Sequence, residues 1–203
     1  MKKILLLSIL LWTGWVSAQA IDLDKENRDP KYVESIVSRS QKIVDKLGIN
    51  DAKVAEDVRN VIANRYFTLN DIYETRDAKV KEIKESDLVG EAKNNALKAA
   101  EDAKDAALYR IHFAFPADLS LFLTEEQIEA VKDGMTYGVL KITYDSHLDM
   151  IPSLKKEEKA QIYAWLKEAR EFAIDAENSD RKHAFLVNIR GVSIIIWLKE
   201  DMI

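Results

Sequence analysis

Cysteine is absent from this 203-residue sequence. Its absence excludes disulfides, thiol catalysis, cysteine-ligated zinc and a lipid-modified N-terminal cysteine. Glycine and proline are scarce, at six and three residues, while lysine, glutamate, aspartate, alanine and leucine abound. This composition predicts a helical protein. After the first twenty residues, no apolar run reaches the length that a membrane-spanning helix needs.

An excess of positive charge is also lacking. The chain has 30 lysines and arginines against 35 aspartates and glutamates. Two of the lysines and none of the acids lie in residues 1–20, so the rest of the chain is more acidic still. Because binding to nucleic acid requires clustered positive charge, we do not expect a nucleic-acid partner.

The N-terminus has the pattern of a secretory signal peptide. A short basic start, Met1-Lys2-Lys3, precedes an apolar stretch over residues 4–16. Small residues suited to cleavage follow, and we expect cleavage after Ala18 or Ala20. The apolar stretch is short for a membrane anchor. The sequence therefore predicts a periplasmic protein with residues 1–18 removed and no membrane anchor in the mature chain.

The mature chain, residues 19–203, reads as a single all-α domain. Asp29 and Pro30 have the types expected at a helix start, which predicts a first helix over 30–47. Residues 51–113 keep helical spacing of apolar and alanine side chains, with a break near Ser86-Asp87. Because small side chains let two helices approach closely, we predict a helical bundle with a long antiparallel hairpin over about 51–113. Its apolar stripe thins near the tip, which is therefore expected to project.

The C-terminal half has a less regular pattern. A break at Pro116 is expected to be buried among aromatic and leucine side chains, namely Phe113, Phe115, Leu119, Leu121 and Phe122. Thr124 and Gln127 have the spacing of a capping box. Residues 139–144 alternate as in a strand, so they are expected to be extended or to lead into a helix over 146–150. A helix over 154–175, with Phe172 facing inward, and a last one, capped by Ser179-Asp180, complete the prediction.

Motifs for catalysis are missing. The chain has no glycine-rich phosphate loop and no nucleophile motif. Asp145, His147 and Asp149 resemble a metal triplet, but residues two apart point in different directions on a helix, so the three would not converge. We therefore predict no catalytic residues, no metal site and no cofactor, and an enzymatic role ranks below binding functions.

Aromatic and basic side chains in the C-terminal half are the candidate ligand-binding residues. Tyr137, Tyr144 and Trp165 could stack on a sugar ring. Arg170, Lys182 and His183 could bind its hydroxyls or a uronate carboxylate. The alternative is structural: Trp165 belongs to the core, because its helical stripe requires burial there, and Arg170 pairs with a nearby acid.

Two resemblances arise from short motifs. Leu123-Thr124-x-x-Gln127 is similar to a signature of helical periplasmic stress chaperones. Nearly the whole mature chain resembles an uncharacterised bacterial family of exported proteins to which sugar binding has been ascribed. The residues that carry this second resemblance are Leu123-Thr124-x-Glu126-Gln127, Val131-Lys132-Asp133-Gly134-Met135-Thr136-Tyr137-Gly138, Thr143-Tyr144, Glu168-Ala169-Arg170-Glu171 and Lys182-His183.

The tail departs from that family after Ala184. Codons for Leu186–Ile203 can be chosen so that a shift of two bases encodes Gly-Lys-Tyr-Lys-Gly-Arg-Ile-Asn-Asn-Tyr-Leu, which resembles the family tail. We therefore interpret residues 186–203 as an out-of-frame tail caused by a single-base deletion near Phe185, with a divergent native tail as the alternative. The nucleotide sequence of the gene distinguishes the two.

Two functions remain after these steps. The resemblance implies a periplasmic binding or accessory protein for carbohydrate, with an oligosaccharide as partner. The alternative is a periplasmic helical chaperone or envelope-stress protein. A compact pocket with convergent aromatic and basic groups favours the first, whereas an exposed apolar concave face favours the second. The oligomeric state cannot be read from the sequence.

Overall fold

The computed structural model describes residues 20–186, and within them it contains helices and no strand. The helices are α1 (Pro30–Val44), α2 (Ala52–Glu85), α3 (Gly90–His112), α4 (Ala114–Leu119), α5 (Glu125–Met135), α6 (Val139–Met150) and α7 (Lys156–Ala173). Residues 179–186 are helical as well. The predicted all-α fold is confirmed. The signal peptide, and the interpreted out-of-frame tail from residue 187 onward, lie outside the described residues.

The first helix begins where the sequence predicts it. The Asp29 side chain accepts a hydrogen bond from the backbone N–H of Tyr32 at 2.9 Å, and Pro30 occupies the first turn. The helix ends at Val44, three residues before the predicted end. Gly48 then has a φ of +67°, a left-handed conformation that glycine adopts without a steric penalty.

Helices α2 and α3 form the predicted antiparallel hairpin. Asp51 caps α2 by accepting hydrogen bonds from the N–H groups of Lys53 and Val54. Residues 86–89 form the turn, and Ile83 and Ala100 are buried in the hairpin. No helix among residues 20–186 has the length and apolar character needed to cross a membrane.

The buried apolar side chains of residues 20–186 form three clusters, and the smallest, Ile36, Ala63 and Phe67, lies between α1 and α2. The largest core joins α1 and α2 to α4 and α5, and it includes fully buried Val58, Ile62, Leu119 and Val131. A separate core joins α6 to α7 and includes Leu166, Ala173 and Leu186. Full burial of each of the larger aliphatic side chains stabilises the fold by about 1.5–3 kcal/mol.

The expectation of an extended segment over residues 139–144 is wrong, because α6 begins at Val139. Gly138, in the left-handed region with a φ of +66°, turns the chain into this helix. Val139, Leu140, Thr143 and His147 are its buried residues. Their spacing is helical and places them on one face, so this wider pattern outweighs the short alternation that suggested a strand.

Three aromatic or aliphatic side chains that we expected to be buried are exposed. Phe113, Leu121 and Phe172 are exposed at 62%, 73% and 58%. Phe115 and Leu119, one turn apart on α4, are buried as predicted. A single short helix turns only one face to the core, which leaves the flanking Phe113 and Leu121 outside. The last helical segment is capped by Asn178, whose side chain accepts from Arg181 N–H at 3.0 Å, rather than by Ser179-Asp180.

Candidate ligand-binding cleft

A cleft of about 630 Å³ lies between the C-terminal part of α3, the C-terminal part of α7 and residue 185. Its size falls within the usual range for small-molecule sites. Five of its lining residues are aromatic: Tyr73, Tyr109, Phe113, Phe172 and Phe185. A second cleft, of about 610 Å³, runs along the hairpin, but no aromatic side chain lines it.

The aromatic rings come from both walls of the cleft. On α3, Tyr109 and Phe113 are one turn apart and contact edge to face, with ring centres 5.7 Å apart. On the opposite wall, Phe172 and Phe185 stack at 6.0 Å. Tyr109 is 70% exposed and Phe185 42%. The cleft therefore offers several ring surfaces to a ligand. Large exposed apolar patches are rare on soluble proteins and normally mark a binding surface.

A hydrogen-bonded chain of polar residues forms one side of the cleft. His112 Nδ1 lies 2.7 Å from Asp175 Oδ2, and Asp175 Oδ1 accepts a hydrogen bond from the buried Arg65 guanidinium. The Tyr73 hydroxyl donates to the Asp175 carbonyl at 2.8 Å. Burial raises the pKa of Tyr73, so its hydroxyl stays protonated. The imidazole is thus held in a fixed orientation at the base of the hairpin.

Acidic side chains complete the lining. Asp105 on α3, and Glu168 and Glu171 on α7, are lining residues together with Asp175. Lys104 is the lining ammonium, and it pairs with Glu101 at 2.9 Å and with Asp105 at 3.0 Å. Burial alone would lower the pKa of Lys104, but the hydrogen bonds to these two carboxylates raise it, so Lys104 stays charged.

Arg170, one of the predicted ligand-binding residues, is a buried cross-link between α5 and α7. Its guanidinium donates to Glu129 at 2.5 Å and to Asp133 at 2.6 Å, and the residue is 2% exposed. Burial alone would raise the pKa of Glu129, but hydrogen bonds from Arg170 and Lys167 outweigh it and lower this pKa to about 2. Arg170 therefore pairs with two acids, as the structural alternative predicts.

Lys182 is buried as well. Its ammonium donates to the carbonyls of Met135 and Ile174, each at 3.3 Å, and lies 5.8 Å from the centre of the Tyr66 ring. Burial lowers the pKa of Lys182 to about 8. The Lys182 ammonium is thus bound by protein groups, and the residue does not line the aromatic cleft.

The other four predicted residues also lie outside the aromatic cleft. Tyr137 stacks on His183 with ring centres 5.9 Å apart, and Tyr137 is 49% exposed. Tyr144 of α6 contacts Tyr163 of α7 edge to face at 5.2 Å, and Trp165 is half-buried on α7. None of the six predicted residues lines the aromatic cleft. Their role in ligand binding stays a prediction.

A family model described as "Protein of unknown function (DUF3826)" matches residues 33–191. The chain belongs to this family. The match covers α2 to α7, all but the first three residues of α1, and every residue that lines the cleft. No curated protein matches the chain. The prediction that the chain belongs to an uncharacterised family is thus confirmed.

Sequence reasoning missed the cleft of this DUF3826 chain. Tyr109, His112 and Phe113 recur at helical spacing at the end of α3 and share one face, but only the alanine spacing was used to interpret this helix. A run of large aromatic residues on the surface side of an alanine-rich helix was the available signal. Asp175 gave no such signal, because its contact with His112 spans 63 residues of sequence.

Proposed function

We propose that this protein is a periplasmic carbohydrate-binding or accessory protein, and that the aromatic cleft is its binding site. The observation that carries the proposal is the set of exposed aromatic rings on both walls of one cleft. The ascribed role of the family that the sequence resembles, and the signal-peptide pattern of residues 1–18, support the carbohydrate class and the periplasmic location.

Sugars suit such a site for physical reasons. The C–H face of a pyranose ring packs on an aromatic ring, and the opposed walls supply ring surfaces for both sides of a saccharide chain. Hydroxyl groups at the edge of the sugar need hydrogen-bonding partners, and His112, Asp105 and Glu168 are polar lining residues of this kind. Apolar walls and polar edges together match the amphipathic character of a sugar.

The test is calorimetric titration of the mature protein with oligosaccharides. Tyr109→Ala and Phe172→Ala each remove one exposed ring from opposite walls, and each is expected to weaken binding about 5- to 15-fold. Tyr137→Ala is the matched control, since Tyr137 is exposed but lies outside the cleft. A loss of affinity in the Tyr137 variant alone would favour the sequence-predicted residues, and the absence of carbohydrate binding would overturn the proposal.

A chaperone remains the second candidate, because the same exposed rings could hold an unfolded segment. The chaperone-like motif itself has a structural role in this chain. Thr124 and Gln127 form a reciprocal capping box at the start of α5, and the Gln127 side chain also donates to the Leu47 carbonyl at 2.9 Å. Suppression of aggregation of a denatured model protein, lost in Tyr109→Ala, would favour the chaperone.

A further inference from the structure

We propose that the cleft selects a cationic amino sugar over an acidic sugar. This inference rests on the proposed function and names the class of carbohydrate. It follows from two features of the lining, namely the balance of charges around the cleft and the unpaired carboxylate of Glu168 one turn from the Phe172 ring.

The charge balance of the lining is negative. Asp105, Glu168, Glu171 and Asp175 face one lysine, Lys104. The charge of Lys104 is already neutralised by ion pairs with Asp105 and Glu101, so it does not balance the other lining carboxylates. A carboxylate or sulfate on a ligand would therefore enter a site whose one lining ammonium is engaged, close to charges of its own sign.

Ion pairs behind the cleft leave one lining carboxylate without a partner. Asp175 is balanced by Arg65, and Glu171 is balanced by Lys132 at 2.9 Å. Neither cation lines the cleft. Glu168 is exposed and makes no ion pair within residues 20–186. It lies one turn before Phe172 on α7, so its carboxylate and an aromatic ring share one side of the cleft.

His112 is anchored through one of its two ring nitrogens. Its Nδ1 lies 2.7 Å from Asp175 Oδ2, so this side of the imidazole is engaged by the protein. The unpaired carboxylate of Glu168 accepts hydrogen bonds and donates none. A ligand that meets Glu168 must therefore donate to it, which sugar hydroxyls and ammonium groups do and a uronate carboxylate does not.

An ammonium group satisfies both features of the lining. It is attracted to aromatic faces and to a carboxylate, and the two attractions combine where Glu168 adjoins Phe172. The geometry thus favours saccharides with free amino groups, such as glucosamine oligomers. Neutral saccharides keep the stacking and the hydroxyl contacts but lack the charge, and uronic acids carry the opposite charge.

The experiment is a titration of the mature protein at pH 7 and low salt with three oligosaccharides of equal length, built from glucosamine, glucose and glucuronic acid. We expect the glucosamine oligomer to bind about 5- to 10-fold more tightly than the glucose oligomer, and the glucuronic acid oligomer to bind most weakly. The preference for glucosamine is expected to shrink at high salt, because exposed charges are screened.

Glu168→Gln is the decisive variant. It removes the carboxylate charge while keeping the shape, so it is expected to weaken binding of the glucosamine oligomer more than binding of the glucose oligomer, and thereby to reduce the glucosamine preference. Glu157→Gln is the matched control, because Glu157 is an exposed acid of α7 outside the cleft. Equal or tighter binding of glucuronic acid, or an unaltered preference in Glu168→Gln, overturns this inference and leaves the proposed function standing. If none of the three saccharides binds, the proposed function falls as well.

Discussion

The α2–α3 hairpin and the α5–α7 region are stabilised in different ways. Small and aliphatic side chains such as Ala100 and Ile83 pack between the two hairpin helices. Between α5 and α7, by contrast, the buried contact is ionic: Arg170 joins Glu129 and Asp133. A hairpin held by regular apolar spacing tolerates local change, whereas a buried cation depends on each of its partners.

The polar contacts of the two regions differ in the same sense. Toward the hairpin tip, Lys79–Glu82 and Lys98–Asp102 are exposed pairs, and such pairs contribute little to stability. At the base of the hairpin, the buried Arg65 binds Asp175, which in turn binds His112. This contact connects α3 to the end of α7 and forms one side of the aromatic cleft. The candidate site therefore lies where the two kinds of packing meet.

Replacement of Arg170 is expected to have the largest effect on this comparison. Arg170→Ala leaves Glu129 and Asp133 without their shared cation and opens a cavity, so we expect the free energy of unfolding to fall by about 3–5 kcal/mol. Urea denaturation followed by circular dichroism measures it. Lys167→Ala is the control, because Lys167 also pairs with Glu129 but is 46% exposed, and its loss is expected to cost less than about 1 kcal/mol.

The same ion pair gives a pH dependence with a definite sign. The pKa of Glu129 is lowered to about 2 in the folded protein from the usual 4.5. Stability from this group is therefore present above pH 4.5 and is lost as the pH falls toward 2. In Arg170→Ala this part of the acid dependence should shrink, since Lys167 still pairs with Glu129. If Arg170→Ala is as stable as the parent protein, and binding alone is lost, Arg170 is a ligand-binding residue after all.

A smaller effect is expected at Lys182, with the same sign but in a higher pH range. Burial lowers its pKa to about 8 from 10.5. Between these values the unfolded chain binds more protons than the folded one, so stability from this group rises as the pH increases from 8 to 10.5. Relative to Lys182→Met, the parent protein should gain about 1–3 kcal/mol over this interval.

Urea denaturation at pH 7.5 and at pH 10 measures the difference between the two proteins. Arg181→Met is the control, since Arg181 is the exposed neighbour of Lys182, and its gap to the parent protein should be the same at both pH values. An equal difference in unfolding free energy between Lys182→Met and the parent at both pH values would contradict this prediction. It would show that Lys182 has the same pKa in the folded and unfolded protein.

Sequence periodicity was enough to predict the hairpin but not the cleft. Helices α2 and α3 repeat one pattern over many turns, and Asp51 and Ser86 mark their limits, so local rules suffice. Arg170 and Lys182 are predicted from the sequence to bind ligand because basic side chains can bind the hydroxyls or a uronate carboxylate of a sugar. Their burial depends on acids and carbonyls brought together by the fold, and such partners leave no local pattern in the sequence.

The smallest expected effects are at two glycines, and they sharpen the contrast between the hairpin tip and the rest of the fold. Gly48 and Gly90 have φ angles of +67° and +58°, and a Cβ added to either would meet no atom within 4 Å. An alanine at each position therefore suffers the same backbone strain, about 1 kcal/mol, without a steric clash. The two variants thus differ only in where the strain is applied.

Gly48 lies beside the large apolar core, next to buried Leu47, whereas Gly90 is the first residue of α3 and lies at the exposed tip of the hairpin. Strain at Gly48 is expected to lower the free energy of global unfolding by the full amount. At Gly90 the tip can open locally and relieve the strain, so Gly90→Ala should mainly speed hydrogen exchange of amides near residues 84–94 and change global unfolding less. Equal losses in global stability from the two variants would show that the hairpin tip unfolds together with the core in one cooperative step.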